Sequence, residues 1–244
     1  MAERFTEFVH LEVELSPIRG IFDDTHNPEV SIADAIARVP IHLADYLFSA
    51  KRWVVRSGKS TLEGPDAVPG MTADRAMAIW LYACNSPLYA RLNEALRSAD
   101  CSKLTTEYFP YLRLLLTGMA LVRKKAGTDK RMVNRGVPKL DLVALYPDEY
   151  VKGETLLWWS FSSTTADIGV LQNSMFLGKS GPRTIFQILT SASVDVSPFS
   201  PFPEAERLLP PGTALRITGI LSKDASGLTI ITCEDDPNAP GLVS

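Results

Sequence analysis

The chain has 244 residues, 45% of them hydrophobic and 22% charged, with a formal net charge of −3 at pH 7. That balance is long and apolar enough to bury a sizeable core, as one large domain or two small ones. The weak negative charge offers no global attraction to nucleic acid or to an anionic membrane, so neither is expected as a partner.

The opening stretch, MAERFTEFVHLEVEL, carries early acids and no long apolar run, so it reads neither as a signal peptide nor as a membrane span. Residues 1–30 are expected to be an extension of unassigned role. From residue 31 the pattern is helical. SIADAIARV and, after Pro40, HLADYLFSAKRWVV place Ile32, Ile36 and Val39, then Leu43, Tyr46, Leu47 and Ala50 at helical spacing. RSGKST (56–61) ends like a phosphate-binding loop, Gly-Lys-Ser. That loop also needs a glycine five positions before Gly58, where Trp53 stands, so a polar loop with no following helix is expected. TADRAMAIWLYAC opens with Thr72 and Asp74 as capping residues. SPLYARLNEALRSA has Ser86 as its cap and Pro87 at the first helical position. EYFPYLRLLLTGMALVRKKAG turns Leu112, Leu115, Leu116, Met119 and Val122 inward and stops at Gly127. Its Arg123-Lys124-Lys125 run suits a helix C-terminus, where the macrodipole favours cations. The three cysteines (Cys84, Cys101, Cys233) and three histidines (His10, His26, His42) show no CxxC spacing, and neither a disulfide framework nor a metal is expected.

After residue 127 the period changes. MVNRGV, TLLWWSF, TIFQIL, SVDV, ERLLP, ALRITGIL and LTIITCE are short β-branched or aromatic runs parted by Gly, Pro, Ser and Asp. A helical part (31–127) followed by a β-rich core (128–234) gives an α+β fold, expected as a single domain over 31–244. Three features of the β-rich part carry chemistry. Arg135 sits in an apolar strand beside Gly136: either an edge arginine covering apolar surface with its stem, or a guanidinium fork for a phosphate or carboxylate. SFSSTT (160–165) ends an aromatic strand in hydroxyls, which are a turn or helix cap, or rigid donors that hold a carboxylate. Glu204 and Glu206 stand two apart at the mouth of an apolar strand and so share one face, where like charges repel. Trp158 and Trp159 alternate faces on their strand, and neither is needed as a site.

The order Arg135-Gly136, then Phe161-Ser162-Ser163-Thr164-Thr165, then Glu204-Ala205-Glu206 followed by Arg207-Leu208-Leu209-Pro210-Pro211-Gly212-Thr213, resembles the arginine-specific mono-ADP-ribosyltransferases of the Arg–Ser–Glu, cholera-toxin-like clade. The paired helices TADRAMAIWLYA and LYARLNEALRS are similar to those that precede the core in that family, and the resemblance spans about residues 30–233. Asn134 departs from the pattern, which has an apolar or aromatic residue there. Thr165 stands where the hydroxyl motif ends in serine. Secreted members carry a leader and disulfides, so their absence here implies a cytoplasmic protein or one delivered into a host cytosol.

The resemblance implies a split β-sandwich with a helical subdomain before it, and a cleft that takes NAD as co-substrate. It implies Glu206 as the catalytic carboxylate, Ser163 as the hydroxyl that orients it and Arg135 as the partner of the NAD phosphates, with Gly136 and Thr164 lining the nucleotide. Glu204 would receive a protein arginine. The SPFSPFPE segment looks like the family's substrate-recognition loop, with Phe199 or Phe202 as an exposed aromatic that could lie on a guanidinium; core packing is the other reading of those rings. An NAD glycohydrolase using water as acceptor, and an inactive binding module on the same fold, are the alternatives.

Overall fold

The computed structural model describes residues 18–57, 59–173, 177–202, 206–221 and 226–239. The opening segment 1–17, Gly58 and Glu204 lie outside the described residues. The chain divides into two compact units: a helical one containing residues 14–127 and 194–204, and a sheet unit containing 128–193 and 205–244.

The helical unit contains α1 (Ile32–Ala37), α2 (Ala44–Arg56), α3 (Lys59–Leu62), α4 (Ala73–Ala83), α5 (Leu88–Leu96) and α6 (Phe109–Ala126). The caps follow the sequence. The Ser31 hydroxyl accepts the Asp34 N–H at 3.1 Å and the Thr72 hydroxyl accepts the Arg75 N–H at 3.3 Å. α5 starts one residue later than expected, at Leu88, whose N–H still reaches the Ser86 hydroxyl at 3.3 Å. α3 is a correction: one helical turn stands where a loop was expected after Gly58, although four residues are too few to form a phosphate-binding helix. α6 follows a π-helical turn, Leu104–Tyr108, and carries Arg123, Lys124 and Lys125 in its last turn. It ends at Gly127, whose φ of 83° lies where side chains with a Cβ are strained.

α4 and α6 form the centre of this unit. Leu112, Leu115, Leu116, Met119 and Val122 of α6 are all buried, as are Ala76 to Tyr82 of α4. Gly118 lets the two helices approach closely, because a Cβ there would lie 3.1 Å from Ile79 and 3.3 Å from the Arg75 carbonyl. Tyr111 is fully buried and donates its hydroxyl to the Ala78 carbonyl at 2.8 Å, which joins the helices by a polar contact as well as by packing.

The segment 194–204 belongs to the same unit. A 3-10 turn, Ser197–Phe199, with Pro198 in its first turn, directs Phe199 inward to 1% exposure. Its ring centroid lies 6.2 Å from that of Trp53. This corrects the reading of Phe199 as an open aromatic: it is a core residue of the helical unit. Phe199→Ala is expected to cost about 3–5 kcal/mol of stability in denaturant unfolding, by lost burial and the cavity left behind. A loss below about 1 kcal/mol would contradict the core assignment.

The strands, in chain order, are β1 (Arg131–Val137), β2 (Thr155–Trp158), β3 (Ser162–Thr165), β4 (Arg183–Thr190), β5 (Val194–Asp195), β6 (Glu206–Leu209), β7 (Thr213–Leu221) and β8 (Leu228–Asp235). β5 falls in the helical unit. Within the sheet unit the hydrogen-bonded order is β2-β7-β8-β4-β1-β3-β6. β4 and β8 run parallel; the other neighbours in this order are antiparallel. The two packed sheets expected from the resemblance are parts of one continuous ribbon that bends back over itself. One core takes Trp158 from β2, Phe186 from β4, Val133 from β1 and Leu209 from β6. Pro210-Pro211-Gly212 turns the chain from β6 to β7. Gly212 has φ 77° and donates its N–H to the Trp158 carbonyl at 2.7 Å, which ties this turn to the end of β2.

The three cysteines are free thiols. Burial pushes the Cys233 thiol up to about 12, so it is an inert core group rather than a nucleophile. Among the described residues no helix is long and apolar enough to cross a membrane, and no cluster of His, Cys, Asp and Glu could hold a metal ion.

Candidate active site

The site is built on three strands that are neighbours in the sheet: β1, β3 and β6. Antiparallel pairing sets Thr165 opposite Glu206 and Ser163 opposite Leu208. Ser163 and Glu206 are therefore diagonal neighbours on one face, a separation that a glutamate can span. The Ser163 hydroxyl donates to Glu206 Oε1 at 2.7 Å. That is an ordinary hydroxyl hydrogen-bond length, and the bond orients the carboxylate from one side.

The hydroxyl run at 162–165 is itself a strand, β3, rather than the end of the aromatic strand before it. Alternation then sorts the hydroxyls. Ser163 is exposed, whereas Ser162 and Thr164 are buried. Thr164 donates to the Arg207 carbonyl at 2.8 Å and so reinforces the pairing of β3 with β6. Thr165 accepts the Asp167 N–H at 3.1 Å and starts the turn into the 3-10 helix Ile168–Gln172. The capping reading of this run therefore describes Thr165, and the carboxylate-holding reading describes Ser163.

Arg135 projects from β1 and donates from Nη1 to the Ser163 carbonyl at 3.2 Å. Its Cζ lies 5.6 Å from the centroid of Trp158. The ring face is a favourable seat for a cation. Trp158 is a buried core residue that also lies against the Arg135 guanidinium. No sequence spacing points to it, because β2 and β1 are separated by three strands in the sheet order and only the bend of the ribbon brings them together. Trp158 is itself held edge-on by Phe186, with ring centroids 5.3 Å apart.

Gly136 lies in β1 opposite Ile185 of β4. Asn134, the departure noted in the sequence, is buried and stands opposite Thr165 where β1 meets β3. Its amide donates to the Thr165 carbonyl at 3.4 Å, so the residue helps to join the strand that carries Arg135 to the strand that carries Ser163. Phe202 keeps 45% of its surface exposed, in contrast to Phe199. Chemically, the arrangement is a carboxylate fixed by a hydroxyl, beside a guanidinium fixed by an aromatic ring. Such a pair suits a substrate that develops positive charge at one atom and carries phosphate nearby.

A family model described as NAD:arginine ADP-ribosyltransferase matches residues 42–235. A curated mouse protein, GPI-linked NAD(P)(+)--arginine ADP-ribosyltransferase 1, is 29% identical over 166 residues, which cover 66% of this chain and 48% of that protein. The chain thus spans about half the length of the curated relative it matches. Among solved structures, the ADP-ribosyltransferase Vis from Vibrio splendidus, in complex with agmatine, superposes with a TM-score of 0.55 at 22% identity, covering 84% of this chain and 91% of that one. A variant of the eucaryotic mono-ADP-ribosyltransferase ART2.2 in complex with NADH gives 0.61 at 18% identity, covering 87% of each chain. At these identities the structures are similar in fold.

Proposed function

The chain belongs to the NAD:arginine ADP-ribosyltransferase family, and we propose that it moves ADP-ribose from NAD onto arginine side chains of a protein acceptor, with release of nicotinamide. The observation that carries this reading is the 2.7 Å bond from Ser163 to Glu206, made beside an Arg135 that is anchored to the backbone of the same serine. The agmatine complex of Vis and the mouse relative support arginine as the acceptor, and the NADH complex of ART2.2 supports a nicotinamide nucleotide as the donor.

In this reading the bond between ribose C1′ and the nicotinamide nitrogen breaks, and its electron pair leaves with nicotinamide. The ribose passes through an oxocarbenium-like cation, as in glycoside hydrolysis. Glu206 supplies preorganised negative charge to that cation and hydrogen-bonds the ribose 2′-hydroxyl. Ser163 holds the carboxylate in place. Arg135 pairs with the NAD phosphates, and Gly136 and Thr164 belong to the same nucleotide-binding strands. A guanidinium nitrogen of the acceptor then attacks C1′. An arginine side chain is protonated in water, so Glu204 orients it and receives the proton it loses. Phe202, exposed just upstream, offers a ring face to the incoming guanidinium.

Arg135→Ala is expected to weaken NAD binding about tenfold to a hundredfold, the size of a lost hydrogen bond to a charged group. Titration calorimetry with NAD measures it, and an unaltered affinity contradicts the phosphate role. The function itself is tested by incubating the protein with NAD and an arginine-containing protein acceptor, then mapping the modification by peptide mass spectrometry. ADP-ribose on arginine is the expected result; modification confined to other residue types would contradict the acceptor class.

A further inference from the structure

Arg135 and Trp158 both belong to the sheet unit, and the guanidinium carbon lies over the indole at 5.6 Å from its centroid. That is within the reach of about 6 Å at which a ring quadrupole attracts a cation, and tryptophan offers the strongest such face. An arginine that grips a phosphate gives up the freedom of a long side chain. The cost falls on the binding step unless the fold has already ordered that side chain.

Trp158 is well placed to do this ordering, because the ring is itself held. It keeps only 8% of its surface exposed. Phe186 meets it edge-on, with an interplanar angle of 90°. Phe186 stands directly opposite Arg135 in the pairing of β1 with β4, so the support for the ring comes from the strand beside the arginine. The main chain is tied as well. Trp158 is paired with Thr213 of β7, and its carbonyl accepts the Gly212 N–H at 2.7 Å. Gly212 lies in the turn that leaves β6, the strand of Glu206. Packing alone would accept any large apolar side chain at 158. What an aromatic ring adds is an electron-rich face toward the guanidinium.

We infer that Trp158 is a positioning residue for NAD binding, which acts through Arg135 by holding the guanidinium ready for the NAD phosphates. This rests on the phosphate role proposed for Arg135 and deepens it.

The test separates the ring's electrostatics from its size. Tryptophan analogues carrying one, two and three fluorine atoms on the indole are placed at position 158 by nonsense suppression, and NAD affinity is measured by titration calorimetry. Fluorine draws electron density from the ring face and leaves the shape nearly unchanged. Affinity is expected to fall step by step with each fluorine, by about threefold to tenfold at the third. The same series in an Arg135→Ala background should stay within about twofold, since no cation then faces the ring. Trp158→Phe keeps an aromatic face and should bind NAD more tightly than Trp158→Leu. Calorimetry reports affinity apart from the number of working sites, so partial unfolding does not imitate the effect. If neither of these two substitutions folds, the fluorinated series decides alone. Equal affinity across that series overturns the inference, and so does a decline of the same size with and without Arg135. If Arg135→Ala by itself leaves NAD affinity unaltered, the phosphate role has failed, which is a separate result and removes this inference with it.

Discussion

Glu206→Ala is expected to lower nicotinamide release from NAD by about a hundredfold to a thousandfold or more, with NAD affinity changed little. Glu206 is the first residue of β6 and is only partly buried, so removal of its side chain leaves the strand and its pairing with β3 in place. In the proposed reaction, what disappears is the negative charge that stabilises the ribose cation, a charge that matters far more in the transition state than in the ground state. Arg135 and its contacts to Ser163 and Trp158 remain, and in the proposed reaction it is this side that binds the NAD phosphates. Glu206→Gln separates charge from shape. A glutamine can still accept the Ser163 hydroxyl, so a large loss in both variants assigns the effect to the charge. The checks are nicotinamide release followed by chromatography and NAD binding followed by calorimetry. Retention of the wild-type rate in Glu206→Ala would show that the Ser163–Glu206 pair is a structural contact.

Glu204→Gln is expected to reduce transfer to agmatine by about a hundredfold or more, the usual weight of a positioned general base, while NAD hydrolysis stays within about twofold. The two glutamates are two residues apart but face different demands. In the proposed reaction Glu206 meets a cation that forms on the ribose. On the same proposal Glu204 meets an acceptor that arrives with its own positive charge and must lose a proton to become a nucleophile. A glutamine at 204 keeps hydrogen bonding to the guanidinium and removes the proton acceptor. Water needs less help than a protonated guanidinium, so hydrolysis should survive. Equal loss of hydrolysis and transfer would contradict this division of labour.

Much of this molecule was legible in its sequence, for identifiable reasons. Helical spacing in residues 31–126 follows from one buried stripe per helix, and Thr72 and Gly127 mark ends by local geometry alone. The motif order of Arg135, Ser163 and Glu206 is distinctive in the sequence, and the structure brings the three together through the Ser163–Glu206 and Arg135–Ser163 contacts. What escaped the sequence depends on long-range packing. Ser162–Thr165 forms a strand because β1 and β6 flank it; its own hydroxyl residues favour turns as readily. Trp158 meets Arg135 through a bend of the sheet that no local pattern encodes. Phe199 and Phe202 stand three residues apart in one Ser- and Pro-rich segment, and only the 3-10 turn decides which is buried. Arg207 would pass for a surface arginine until its contact with Ser193 is seen.

The central claim is that this chain breaks NAD and hands the ribose to a guanidinium. The most direct measurement is nicotinamide release from NAD with and without agmatine, with the ribose-containing products identified by mass. The account predicts that nicotinamide is released and that ADP-ribosyl-agmatine forms when agmatine is present. Folded protein that releases no nicotinamide, or that yields only free ADP-ribose at every agmatine concentration, would contradict it.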